Sequence, residues 1–193
     1  MGVLCSKRSP PPHNPAKLGK SIVVISDTHG EHRKIPVPDA DILIHAGDFT
    51  RFGSEQDAVD FNAWLATLPH RNKIIVEGNH ENNAPWKARA RDILSNGTFL
   101  RNEAVDVDGV RIFGKGYVDG GKGCQESAAL CERLHPRLYI CGHVHFAKGT
   151  QQGSGLCATT LFVNGASVLG DHNAKKEDSQ AYEINGSPIL LQI

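Results

Sequence analysis

In this chain, short runs of aliphatic and β-branched residues break repeatedly into clusters of metal-ligating side chains. Ser21–Ser26 (SIVVIS) runs into Asp27-Thr28-His29-Gly30, and Ile42–Ala46 (ILIHA) runs into Gly47-Asp48. Lys73–Glu77 (KIIVE) runs into Gly78-Asn79-His80-Glu81, and Leu138–Cys141 into Gly142-His143-Val144-His145. Apolar runs this short and continuous are strands buried on both faces. Helices between them cover such a sheet. Ser54–Leu68 is predicted helical, with Ser54 and Asp57 as a capping box and Ala58, Phe61, Leu65 and Leu68 as its apolar stripe. Pro85–Leu94 is predicted as a second helix, opened by its proline, and Glu126–Leu134 as a third. In α/β folds, ligands collect at the carboxyl ends of strands, which is where every one of these clusters falls.

Between the third and fourth clusters the texture changes. Val105–Val107, Asp108-Gly109 and Val110–Phe113 read as a hairpin on an Asp-Gly turn. Gly114–Gly123 is glycine-rich but lacks a Gly-Lys-Ser/Thr ending, so it is not a nucleotide P-loop. Leu161–Asn164 and Pro188–Ile193 read as late strands, and Asp171–Gln180 as a polar surface loop. Trp64 and Trp86 read as helix packing residues and His45 as a core histidine.

The clusters share one chemistry. Asp27, His29, Asp48, Asn79, His80, His143 and His145 are hard-to-borderline metal ligands or proton carriers. Asp27 and His29 are two residues apart, as are His143 and His145. In extended backbone, side chains at i and i+2 point the same way, so each pair can grip one ion. Oxygen and imidazole donors in this mixture point to paired divalent ions (Mn, Fe or Zn), not to a thiolate zinc site.

Composition limits the remaining classes. The 193 residues are 39% hydrophobic and 22% charged, the profile of a globular chain with room for one domain. Formal charge is zero, yet residues 1–20 carry Lys7, Arg8, Lys17 and Lys20 with no acid, which leaves residues 21–193 at −4. A net negative body without a basic-aromatic stripe argues against nucleic acid as a partner. The five cysteines are odd in number and form no CxxC pair, so buried free thiols in a reducing compartment are expected.

The first 20 residues read as a separate basic, Pro-rich tail, with the domain over 21–193. Met1-Gly2-Val3-Leu4-Cys5-Ser6 fits the pattern for N-myristoylation at Gly2, with Cys5 as a palmitoylation site and Lys7 and Arg8 next to it. One acyl chain binds a membrane marginally and a second signal stabilises it. The expected location is the cytoplasmic face of a membrane, with Pro10-Pro11-Pro12 and Pro15 as an extended spacer.

The set Asp27-x-His29, Gly47-Asp48, Gly78-Asn79-His80-Glu81, Gly142-His143-x-His145 resembles the calcineurin-like metallophosphoesterase superfamily. The words SDTHGEH (26–32), HAGDFTRFG (45–53), FNAWLATLP (61–69), GNHE (78–81) and FVNGAS (162–167) are similar to its metallophosphoesterase-domain-containing subgroup, which includes animal cyclic-nucleotide phosphodiesterases. The resemblance covers about residues 20–193. It implies an α/β fold: a metallophosphoesterase β-sandwich flanked by helices, in four layers α/β/β/α. It also implies roles. Asp27, His29 and His145 hold a first metal, Asp48 bridges, and Asn79 and His143 hold a second. His80 stabilises developing charge or protonates the leaving oxygen. A metal-bound hydroxide attacks a phosphodiester, with a cyclic nucleotide as the expected substrate. His32 and Arg51, in loops beside Asp27 and Asp48, are assigned to the substrate phosphate.

One expected part is missing. The family carries a further strand ending in a Thr-His-Gly-Pro-Pro-like word, whose histidine completes the second metal site. Here VRIFG (110–114) matches before that point and Gly123-Cys124 after it, with only 115–122 between. The domain is therefore expected to be shortened by a deletion, with a complete first metal site and a depleted second. His172, in a polar loop, is the substitute ligand weighed for it, and His135 reads as a helix-end surface residue. The rival expectation is a non-catalytic relative that binds a nucleotide or a protein partner.

Overall fold

The computed structural model describes residues 19–115, 125–170 and 182–193. In chain order the elements begin with β1 (Ser21–Ile25), β2 (Ile42–His45), α1 (Glu55–Thr67) and β3 (Asn72–Val76). Two short helices follow, α2 (Asn79–Asn82) and α3 (Ala90–Ile93), then β4 (Thr98–Leu100), β5 (Glu103–Val107) and β6 (Val110–Gly114). The second half holds α4 (Gln125–Leu134), β7 (Leu138–Cys141), β8 (Gly149–Gln152) and β9 (Leu161–Asn164). It closes with β10 (Val168–Gly170), β11 (Tyr182–Ile184) and β12 (Ile189–Gln192).

The main sheet has the order β12-β1-β2-β3-β4, with β1 to β4 parallel and β12 antiparallel on the edge. Strand periodicity divides its side chains between two cores. Val23, Ile25, Leu43 and Ile75 face α1, where Phe61 and Leu65 are fully buried. Ile22, Val24, Ile42, Ile44 and Ile74 face a second β layer through Val107 and Val163. Each fully buried large apolar side chain contributes about 1.5–3 kcal/mol, which explains why these runs are apolar on both faces.

That second layer is divided. β5 and β6 form a hairpin in which Asp108 and Gly109 both take positive φ, as a two-residue primed turn requires. β7, β9 and β8 form a separate three-stranded sheet. Among the described residues β6 and β7 share no ladder, although Ile112 and Ile140 pack on the same core. This is the place in the chain where a strand is expected to be missing.

Some elements differ from expectation. Ser54 caps α1 by accepting the Asp57 N–H at 3.3 Å, but the Asp57 carboxylate turns to Arg51 and does not complete a capping box. The expected helix over 85–94 is broken into a 3-10 turn (Lys87–Arg89) and α3. The reason lies in Trp86, which is buried and donates its indole N–H to the Gly53 carbonyl at 2.9 Å. β4 and β8 carry too few apolar residues to show a period, and they form by pairing with β3 and β9. Cys131 is buried and Cys141 and Cys157 are half-buried, all as free thiols. The expected loop over 171–180, most of 114–123 and residues 1–18 of the N-terminal tail lie outside the described residues.

Candidate metal centre

The loops after β1 and β2 are joined by backbone hydrogen bonds. Asp27 N–H donates to Gly47 O at 2.9 Å, His29 N–H to Asp48 O at 3.0 Å, and Gly30 N–H to Phe49 O at 2.9 Å. Asp27, His29 and Asp48 all hold positive φ, an uncommon state for residues with a Cβ that clusters at functional sites. Two glycines let the other loops close in. A Cβ on Gly142 would sit 1.9 Å from Ser26 Oγ and 2.2 Å from Asp27 Oδ2, and one on Gly78 would sit 2.2 Å from Asp48 Oδ1.

Asp27, His29 and His145 meet as a buried triad, each offering a ligand atom within 4.8 Å of the others. His29 Nε2 lies 3.2 Å from His145 Nε2, and His145 Nε2 lies 3.4 Å from Asp27 Oδ1. Two imidazole nitrogens facing one point beside a carboxylate form a donor set for a borderline divalent ion. Burial, reinforced by His80, pulls His29 down to about 3, so it is a neutral imidazole able to ligate. Burial pushes Asp27 upward, but His145, Ser26 and the His143 N–H outweigh it and hold its carboxyl below the usual range. Asp48 is raised well above the carboxylate range by burial, then by the charges of Glu81 and Asp27. A divalent cation among these carboxylates would relieve that repulsion, so the residues fit such an ion.

The residues assigned to a second ion also gather here. His143 is exposed, with Nδ1 3.0 Å from Asn79 Oδ1. Asp48 Oδ1 accepts the His80 N–H at 2.9 Å. His172 lies outside the described residues. His135 is exposed, with Nδ1 3.1 Å from the Leu156 carbonyl.

His80 has its ring between His29, at 4.6 Å between centroids, and Phe52, at 5.2 Å. Its Nδ1 is 2.9 Å from the Phe52 N–H and 3.0 Å from the Thr50 carbonyl. Burial lowers its pKa.

One sequence assignment is corrected. His32 does not reach the centre. It is fully buried under α1, against Phe61 and Trp64, with Nε2 3.0 Å from Asp60 Oδ2. The adjacency of His32 to the Asp27 loop in sequence hid this burial. Arg51 points its guanidinium at Asp57, with Nε 3.2 Å and Nη2 3.0 Å from the two carboxylate oxygens, and its side chain is 46% exposed. Gly2 and Cys5 lie outside the described residues.

The sequence reading assigns Glu81 no role of its own, and His45 is the core histidine expected. The fully buried Glu81 carboxylate accepts N–H bonds from Asp48, Thr50 and Gly78 at 2.9 Å each and the Thr50 hydroxyl at 2.7 Å. It therefore ties the Asp48 loop to the Asn79 loop. The only signal was a carboxylate directly after His80 in GNHE. His45, fully buried, pairs Nε2 with Thr28 Oγ1 at 3.1 Å, behind the residues that flank Thr28.

Parallel strands thus deliver a buried Asp-His-His triad at their carboxyl ends, beside a half-buried histidine, a donor set suited to a divalent metal ion. A model of the calcineurin-like phosphoesterase superfamily domain matches residues 21–185, and the chain belongs to that superfamily. Two UPF0046 proteins of Caenorhabditis elegans are similar to it. One is 37% identical over 89% of this chain and 80% of its own length, the other 30% identical over 75% and 69%. Metallophosphoesterase domain-containing protein 1 of Homo sapiens is 27% identical over 80% of this chain and 69% of its own length. These alignments run 239, 203 and 230 positions in that order, longer than the 193 residues here, so the relatives carry segments this chain lacks.

Proposed function

We propose that the protein hydrolyses phosphodiesters with two divalent ions, and that its substrate is a cyclic nucleotide. The observation that carries this reading is the buried Asp27-His29-His145 triad with His80 beside it. Asp27, His29 and His145 would hold one ion, Asp48 would bridge, and Asn79 and His143 would hold the other. Bound ions of this kind polarise phosphoryl oxygens and lower the pKa of water toward ~7.

The chain's own residues do the rest. Glu81 sets the spacing of the Asp48 and Asn79 loops through its hydrogen bonds. His80 presents Nε2–H to the leaving oxygen in both of its supported states. When neutral, Nδ1 accepts from Phe52 and the proton sits on Nε2; when charged, Nδ1–H donates to Thr50 O and Nε2–H remains. Either state stabilises the charge that develops on the leaving oxygen, and the charged one can also protonate it.

The test is turnover of bis(p-nitrophenyl) phosphate and cyclic AMP in Mn²⁺, with metal content measured on the same sample. His80→Asn is expected to lower kcat about 10²–10⁴-fold while keeping the metal. Absence of turnover together with absence of bound metal would overturn the reading. The divided second β layer and the longer alignments favour a second reading, a relative that binds a nucleotide without hydrolysing it. That reading requires nucleotide binding with no rate for His80→Asn to remove.

The spacing of Gly2, Cys5 and Ser6 supports a membrane tether by double acylation. Gly2→Ala is expected to move the protein out of the membrane fraction. Identical fractionation of variant and wild type would remove the tether.

A further inference from the structure

Phe52 occupies a costly position that the packing of the domain does not require. Its backbone holds φ 51°, a left-handed state that bulky residues rarely adopt. Its side chain belongs to neither core, and the residue is 51% exposed. The loop around it is fixed without its ring. Glu81 holds Thr50, Asp57 holds the Arg51 N–H, and the Trp86 indole holds the Gly53 carbonyl.

The ring is nevertheless stacked on the site. It lies nearly parallel to His80, at 16° and 5.2 Å between centroids. His80 in turn stands 4.6 Å from His29. Phe52, His80 and His29 thus form an aromatic row from solvent to the metal triad. On the phosphodiesterase reading the leaving oxygen sits at His80, and Phe52, stacked on His80 and 51% exposed, is the ring that an ester arm running from there toward solvent would meet.

We propose that Phe52 is a stacking platform for the base of a nucleotide substrate, and that it makes the site prefer nucleoside phosphodiesters to base-free ones. The assignment rests on the phosphodiesterase reading for the position of the ester arm, but it concerns a contact that binding alone can measure. Stacking on an aromatic side chain tolerates any base, so the selection is for a planar base and not for one nucleobase.

Two paired comparisons test it in Mn²⁺. The first is calorimetric binding of adenosine 5′-monophosphate against ribose 5-phosphate. The second is kcat/KM for cyclic AMP against glycerol 1,2-cyclic phosphate. Wild type is expected to favour each base-bearing compound by roughly tenfold or more. Phe52→Leu should erase most of that preference, and Phe52→Trp should restore it. Phe146, 87% exposed and next to His145, is the competing aromatic, and Phe146→Leu should leave the preference in place.

Binding that discriminates through Phe52 without any turnover would keep the platform and remove the hydrolase reading. Turnover of both cyclic phosphates with equal efficiency, together with equal binding of the two monophosphates, would remove the platform and keep the hydrolase. Loss of preference in Phe146→Leu instead, or no binding of adenosine monophosphate, would also overturn the platform.

Discussion

The backbone N–H of His143 donates to both carboxylate oxygens of Asp27, at 2.8 and 2.9 Å, across 116 residues of chain. This contact docks the end of β7 on the end of β1. It positions His145, whose loop is held further by Asn164 Nδ2 on Val144 O and Asn185 Nδ2 on His145 O. A main-chain donor to Asp27 also turns the carboxylate so that it can face the two imidazoles.

That docking depends on the absence of a side chain at Gly142. A Cβ there meets Ser26 Oγ at 1.9 Å and Asp27 Oδ2 at 2.2 Å, both on fully buried residues. Gly142→Ala should lower the affinity for Mn²⁺ by about 10–100-fold, the range seen when the partners of a metal ligand are disturbed. Equilibrium dialysis of the variant checks this, and circular dichroism shows whether the fold survives.

Glu81 is expected to matter for stability more than its place in the motif implies. Removal of its carboxylate leaves buried donors on Asp48, Thr50 and Gly78 without an acceptor. Each such orphan costs about 1–3 kcal/mol. Glu81→Ala should therefore lose at least about 3 kcal/mol in urea unfolding, and Glu81→Gln, which keeps one acceptor oxygen, should lose less.

Acid should weaken the fold through its buried histidines. Burial pulls His45 down to about 3 and also lowers His32 from the ordinary 6.5. Unfolded, both bind a proton near 6.5; folded, both stay neutral to lower pH. The unfolded chain therefore takes up more protons, and stability is complete above pH ~6.5 and falls as the pH drops toward the folded values. Each histidine adds a slope of up to about 1.4 kcal/mol per pH unit. Urea midpoints measured from about pH 7.5 to about pH 5 should show the fall, and His45→Gln should flatten it.

Divalent metal should stabilise the folded chain. An ion bound only by the native triad adds RT ln(1 + [L]/Kd), or about 2.7 kcal/mol at a hundredfold excess over Kd. Thermal unfolding should shift upward with Mn²⁺ in wild type and shift little in Asp27→Asn. An equal shift in both would place the stabilising ion elsewhere.

Much of this was legible because the signals were local. The Ser54 cap, the Asp-Gly hairpin turn and the two-faced apolar strands are set by contacts within a few residues. The break at Trp86 was not legible, because a tertiary hydrogen bond to Gly53 outweighs the helical tendency of the segment. β4 and β8 were missed because their stability comes from the neighbouring strand. His32 shows the same boundary. It occupies a loop beside a metal ligand, yet burial under α1 removes it from the site.

The sequence by itself determined the chemical identity of the donors and the strand ends that carry them. Spacing and residue type are local properties, and two-residue pairs such as Asp27 with His29 express them directly. Only the tertiary structure decided which donors converge, because convergence requires four loops to close on one point. Gly142 permits one of those approaches, and Glu81 ties the Asp48 and Asn79 loops with hydrogen bonds over 31 to 33 residues. The aromatic row from Phe52 to His29 belongs to that second category, since ring stacking between distant loops leaves no period in the chain.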